Sequence, residues 1–283
     1  MKLMRFNDDR LGVVDGGQVV DVTAAVAPLG YHNAQQMMQM VIGQWGEVGL
    51  RIAEAGQSGR PVAIDQVRML APMARPGQLV CLAGNYLEPR KPERGVFNAF
   101  LKSPNAVIGC GGTVELPPAE AKVFHFEPEL AIVIGKTASR VGRDQAMDCV
   151  FGYTQFIDAS ARGLPGGFFL AKSWHTFGPM GPVLVTADEV ADPNELHVTM
   201  RVNDELRHDF CTDSMDRFIP ELLEEVTKVL TLEPGDVVST GTHHYGLAPI
   251  EDGDVLHMSI EGFGPVLTVN VHDPLKRTTW AAE

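Results

Sequence analysis

The sequence predicts a β-dominated α+β protein: a strand-rich sandwich or barrel behind a small N-terminal α/β region. Three observations carry this reading. Beyond residue 78, apolar residues fall in short runs divided by turn signals at Glu233-Pro-Gly-Asp236, Glu251-Asp-Gly-Asp254 and Glu261-Gly-Phe-Gly264. One clear amphipathic helix interrupts those runs. The chain has 283 residues, 45% of them hydrophobic, enough to bury a large core.

Taken in order, residues 1–22 read as short strands turned at Asn7-Asp8-Asp9 and Asp15-Gly16-Gly17. Met38, Val41, Ile42 and Trp45 recur at helical spacing behind Asn33, a side chain suited to an N-cap. Gly43, Gly46 and Gly49 weaken that helix. Pro72, Pro76 and Gly77 mark a boundary. The expected division is a small N-terminal domain over 1–72, a main domain over 78–272 and a tail over 273–283. Strands are expected at 79–83, 131–134, 183–186, 196–202, 237–240, 255–260 and 266–271. The helix is the stripe Phe218, Leu222, Leu223, Val226, Val229 and Leu230, with Ser214 as its potential cap.

Composition excludes several functions. With 23 Lys+Arg against 36 Asp+Glu, the net charge is −13, which repels phosphate backbones and makes nucleic acid an unsuitable partner. Cys81, Cys110, Cys149 and Cys211 show no Cys-x-x-Cys spacing and read as reduced thiols, not as disulfides or a zinc site. The N-terminus lacks the apolar stretch of a signal peptide, and no run has the length of a membrane span. The expectation is a soluble cytoplasmic protein with no membrane partner. No P-loop, Gly-x-Gly-x-x-Gly after a strand, or Gly-x-Ser-x-Gly is present, which removes simple nucleotide and serine-hydrolase readings.

The chemistry concentrates on acids. Glu127 and Glu129 flank Pro128 at the head of Leu130-Ala-Ile-Val-Ile134. Strand alternation points them to one side, where they repel unless a proton or a cation lies between them. Asp158 follows another apolar strand, Phe156-Ile157. Three carboxylates with no thiolate or imidazole suit a hard ion, Mg²⁺ first, with Mn²⁺ or Ca²⁺ as the other candidates. An acidic pair is also common as a solvated edge, but here it leads directly into a buried-type run. His125 shares the Glu127 face and can be a ligand, a base or a structural histidine. Lys172 and Arg162 are either surface cations or groups that neutralise the cluster and hold a substrate carboxylate. The segment Thr240-Gly241-Thr242-His243-His244 is either a plain turn or an anion-receiving one. Side chains of the adjacent histidines diverge, so one shared zinc ion is disfavoured. Residues 85–98, with Glu88, Pro89, Arg90, Lys91, Pro92, Glu93 and Arg94, are a surface loop or a lid.

Together and in this order, the segments resemble the fumarylacetoacetate hydrolase superfamily. The matching stretches are Gly84-Asn85-Tyr86, Phe100-Leu-Lys102-Ser-Pro, Glu127-Pro-Glu129-Leu-Ala-Ile-Val-Ile-Gly-Lys136 and Gly152-Tyr-Thr-Gln-Phe-Ile-Asp158-Ala-Ser-Ala-Arg162. They continue through Lys172-Ser-Trp-His-Thr-Phe-Gly-Pro-Met-Gly-Pro182, Leu232-Glu-Pro-Gly-Asp236 and Thr240-Gly-Thr242.

The resemblance implies a mixed β-sandwich roll, usually a homodimer, with Mg²⁺ or Mn²⁺ bound in the roll. By position it assigns Glu127, Glu129 and Asp158 to the metal and Lys172 beside them, with Arg162, Thr242, Gly241 and Tyr86 toward a bound small-molecule 2-oxo acid. It implies a divalent-metal-dependent hydrolase of the carbon–carbon bond in an acylpyruvate or other 2,4-dioxo acid, acting through a metal-bound pyruvate enolate in aromatic compound catabolism. A lyase (hydratase, dehydratase or decarboxylase) or isomerase of the same family is the alternative, and a catalytically silent oxo-acid binder is a third. Two departures matter. The family's lid motif Asn-Tyr-x-x-His-x-x-Glu here places Pro89 and Pro92 at the His and Glu positions. Arg162-Gly163-Leu164-Pro165 replaces Arg-Asp-x-x-Gln. Glu88 is then the candidate catalytic base from a shifted lid, with Glu93 as the other choice.

Overall fold

Leu130-Ala-Ile-Val-Ile134 is apolar at every position because its strand, Pro128–Ile134, is buried on both faces. In the computed structural model, which describes residues 1–88 and 93–277, this strand lies inside an eleven-stranded sheet. Leu130, Ile132 and Ile134 belong to a core shared with Val198, Met200, Leu256 and Met258 of a second sheet. Ala131 and Val133, on the opposite face, share a core with Met37, Met38, Val41 and Ile42 of an N-terminal helix.

The large sheet runs Pro61–Ala63, Gln18–Asp21, Arg10–Asp15, Lys2–Phe6, Val183–Thr186, Val150–Ile157, Pro128–Ile134, Val237–Ser239, Leu79–Leu82 and Ala99–Leu101. Met69–Leu70 pairs off this path with Lys2–Phe6. The second sheet runs Glu205–Cys211, His197–Val202, Val255–Ile260, Leu267–His272 and Thr113–Glu115. This is the sheet-dominated α+β architecture that the strand pattern predicts. Lys2–Phe6 pairs antiparallel with Val183–Thr186, so residues 1–72 share the main domain's sheet. Without that pairing Val183–Thr186 would be an open edge.

The expected strands form close to their expected bounds, and Val183–Thr186 and Val255–Ile260 match them. Glu205–Cys211 is an addition. It sits at the rim of its sheet with only His208 and Phe210 buried, so its charged sequence hides the strand. Asn33 caps the helix Ala34–Gly43, accepting from the Gln36 amide at 2.9 Å. A second helix, Trp45–Ser58, continues the chain despite its glycines. Gly49 is suited there because a Cβ would meet the Trp45 ring at 3.1 Å. The helix Ile219–Val229 buries Leu222, Leu223 and Val226 of the expected stripe, whereas Phe218, just before the helix, and Val229 are exposed, and Ser214 does not cap it. Ser214 lies in a separate 3-10 turn, Thr212–Ser214, and its hydroxyl donates to the Cys211 carbonyl at 2.6 Å. The helix instead starts after Phe218, with Pro220 in its first turn where a missing N–H is harmless. All four cysteines are free thiols. Among the described residues no helix is long and apolar enough to cross a membrane.

His208 is fully buried in this core, edge-on to Phe126 at 5.3 Å between centroids. Neither ring nitrogen has a hydrogen-bond partner among the described residues. Burial pushes its pKa down to about 4 from 6.5. As pH falls through that interval, the unfolded chain takes a proton that the native state refuses. Stability that is fully present above the unfolded value is therefore lost toward the folded one, by at most about 3 kcal/mol. Urea unfolding at pH 7 and pH 4.5 should show the native protein losing more stability than His208→Leu. Equal losses would refute a neutral buried imidazole.

Candidate metal centre

Strand pairing assembles the acids. Glu127 precedes the strand Pro128–Ile134 and Glu129 is its second residue. The partner strand Val150–Ile157 sets Phe156 opposite Glu129 and Ile157 opposite Pro128, and Asp158 follows directly. The Asp158 amide then donates to the Glu127 carbonyl at 2.9 Å. One carboxylate oxygen from each of Glu127, Glu129 and Asp158 lies within 4.8 Å of the others, and all three residues are buried.

Three cations answer them. Lys172, the last residue of the helix Gly167–Lys172, places Nζ 2.6 Å from Glu127 Oε2 and 2.6 Å from Asp158 Oδ2. Lys102, just beyond the strand Ala99–Leu101, places Nζ 2.6 Å from Asp158 Oδ1. Arg162 pairs with Glu127 Oε1. Aromatic faces support both ammonium groups: Phe100 lies 5.6 Å from Lys172 Nζ and Phe177 lies 5.9 Å from Lys102 Nζ.

The compensation is uneven. Burial raises the Glu127 carboxyl, but Lys172 and Arg162 outweigh it and bring the pKa to about 2. Burial raises the Glu129 carboxyl, and the charges of Asp158 and Glu127 push it further, well above the usual carboxylate range. Glu129 Oε2 accepts from Ser239 Oγ and from the Gly241 amide, but Oε1 has no hydrogen-bond partner among the described residues. A buried oxygen in that position needs a proton or a cation. Three hard carboxylates, one with an orphaned oxygen, fit a divalent ion.

The other expected site residues are placed differently. Gly241 donates its N–H to Glu129 and Thr242 Oγ1 donates to the Pro128 carbonyl at 2.8 Å. The turn does donate to a carboxyl group, but that group is the protein's own Glu129. Tyr86 is buried with its hydroxyl 3.4 Å from Thr240 Oγ1, behind the same turn. His125 is buried in the strand Val123–His125, and its cross-strand partner Ser160 donates to Glu127 Oε1 at 3.2 Å. The adjacent histidines diverge as expected: His243 stacks near Phe210, and His244 bonds Glu88. In the 85–98 segment, the Asn85 side-chain amide donates to the Thr240 carbonyl at 3.0 Å and the Gly95 amide donates to Asp216 Oδ2 at 2.8 Å. Pro89, Arg90, Lys91 and Pro92 lie outside the described residues.

Sequence reasoning gave Lys102 no role at the site and weighed the His243–His244 pair only for zinc. Lys102 finds its acid 56 residues away, and nothing in the local pattern of Phe100-Leu-Lys102-Ser-Pro reveals that.

The model of the fumarylacetoacetate (FAA) hydrolase C-terminal family matches residues 79–270. The maleylpyruvate hydrolase of Aquipseudomonas alcaligenes is 34% identical over 281 residues, covering 93% of this chain and 97% of that protein. The oxaloacetate tautomerase YisK of Bacillus subtilis is 36% identical, over 71% of this chain and 72% of that protein. Among solved structures, the maleylpyruvate hydrolase of Sphingobium sp. SYK-6, in complex with manganese(II) and pyruvate, superposes with a TM-score of 0.87. It is 33% identical, with 96% of this chain and 99% of that chain covered.

Lys102→Met would leave Asp158 buried with one cation fewer. Removing one member of a buried ion pair costs about 3–5 kcal/mol, and urea unfolding of the metal-free protein should show a loss of that order. An unchanged midpoint would mean that Lys102 contributes nothing net to the cluster.

Proposed function

Because the chain belongs to the fumarylacetoacetate hydrolase family, we propose that it hydrolyses the carbon–carbon bond of an acylpyruvate-type 2,4-dioxo acid with a divalent cation held by Glu127, Glu129 and Asp158. The observation that carries this reading is the buried acidic cluster with the orphaned Glu129 oxygen, in a chain alike over its length to maleylpyruvate hydrolases. We place Mn²⁺ first among the ions, on the manganese of the Sphingobium relative, then Mg²⁺, which shares its preference for oxygen ligands, then Ca²⁺.

When bound, the cation supplies Lewis acidity to the keto and carboxylate oxygens of the oxo acid. The chain's own groups do the rest. Lys172, Lys102 and Arg162 cancel the three carboxylates in formal charge, so a dication leaves a positive surplus. That surplus matches pyruvate enolate, which carries one charge on its carboxylate and one on its enolate oxygen. Lys172 bonds both Glu127 and Asp158; burial lowers its pKa, but those two acids raise it above the ordinary lysine range. Arg162, partly exposed and paired with Glu127, is the group we assign to the substrate carboxylate. Gly241 and Thr242 act by holding Glu129 and the Pro128 carbonyl, and Tyr86 backs them. A cytoplasmic homodimer belongs to the same reading.

A second reading has its own support, the likeness to an oxaloacetate tautomerase. Moving a proton through the same enolate needs no attacking water, so one site suits both reactions. Incubation with Mn²⁺ and a series of acylpyruvates, maleylpyruvate first, should release pyruvate. No release across the series overturns the hydrolase, and accelerated keto–enol exchange of oxaloacetate would then favour the tautomerase. Glu127→Gln and Asp158→Asn should stay folded by circular dichroism yet lose Mn²⁺ binding in calorimetry, and unchanged affinity in both overturns the ligand assignment.

A further inference from the structure

We propose that His244 and Glu88 form the water-activating pair of this site, with His244 Nε2 taking the proton and Glu88 holding the ring from the other side. The inference rests on the hydrolase reading above and adds the group that this reading lacks.

Glu88 Oε1 accepts from the His244 backbone N–H at 2.8 Å and lies 2.8 Å from His244 Nδ1. A carboxylate on Nδ1 puts the ring proton there and leaves Nε2 as the lone-pair nitrogen. Nε2 has no hydrogen bond among the described residues, and the side chain is 41% exposed, so water can reach it. Position supplies the next link. Thr242 is anchored to the carbonyl of Pro128, between Glu127 and Glu129. His244 follows two residues later, at most about 7 Å of chain. Burial pushes the Glu88 carboxyl up, but the His244 backbone N–H bonded to it brings it below the usual range.

The nearby alternatives fit less well. Lys172 is committed to two carboxylates. His208 and His125 are buried away from solvent.

The step balances. One water proton passes to Nε2, and the water oxygen bonds to the distal acyl carbon. The bond from that carbon to C3 of the pyruvate unit breaks, leaving its electron pair on C3 as the enolate. The proton on Nε2 then goes to C3. The products are a carboxylic acid and pyruvate, with one water consumed.

The test uses the full-length Mn²⁺-loaded enzyme and maleylpyruvate, with His244→Ala, His244→Gln and Glu88→Gln. Both histidine variants should lose at least about 100-fold in kcat with little change in KM. By calorimetry they should bind Mn²⁺ and pyruvate as the unsubstituted protein does. Added imidazole should restore turnover to His244→Ala in proportion to its concentration, and should not restore Glu88→Gln. If His244→Ala does not fold, the His244→Gln result decides. Retention of kcat within about threefold in the histidine variants, loss of Mn²⁺ affinity, or absence of imidazole rescue in a folded His244→Ala overturns the pair. If the unsubstituted enzyme releases no pyruvate from any acylpyruvate, the parent reading falls and the pair falls with it. If only the variants behave as the unsubstituted enzyme does, the pair alone falls.

Discussion

Glu129 is a carboxylate buried beside two others. Its cost is set by geometry: the partner charges that serve Glu127 and Asp158 are lysines and an arginine bonded to those two acids, and none of them bonds Glu129. Ser239 and Gly241 satisfy one of its oxygens and leave the other bare. An isolated buried carboxylate is expensive, and protonation or a bound cation relieves it. A site with that deficit is poised for a dication before any substrate arrives.

The rest of the fold holds this deficit in place. The strand Pro128–Ile134 is clamped on both sides, by Val150–Ile157 and by Val237–Ser239. The first brings Asp158 to Glu127, and the second leads into the turn that bonds Glu129 and Pro128. The N-terminal strands complete the sheet on its far side and their helices cover its outer face. A strand locked by two neighbours and two cores cannot let its acids drift apart, and close packing keeps such positions sharp.

The turn after Val237–Ser239 has two duties. Its first residues support the acids, and its last histidine meets Glu88 from the segment after Leu79–Leu82. These two strands are parallel neighbours, with Val237 opposite Leu79 and Ser239 opposite Cys81, so their C-terminal ends emerge side by side. That parallel pairing lets a histidine and a glutamate separated by 156 positions meet in one hydrogen bond.

Local periodicity in the sequence determined what depends on a few neighbouring residues. Alternation set Glu127 and Glu129 on one side of a strand, the 3.6-residue stripe identified Ile219–Val229, and Asn33 marked a helix start. The order of motifs identified the family and, with it, the three acids. Tertiary structure alone decided that Lys102 reaches Asp158, that Ser214 serves its own turn instead of the helix, that Gly241 spends its N–H on Glu129, and that Glu88 faces His244. The physical reason is range. Side-chain direction along one strand or helix repeats with a period the chain displays, whereas a contact between residues far apart in sequence depends on which strands pair and in what register, and no single segment carries that information.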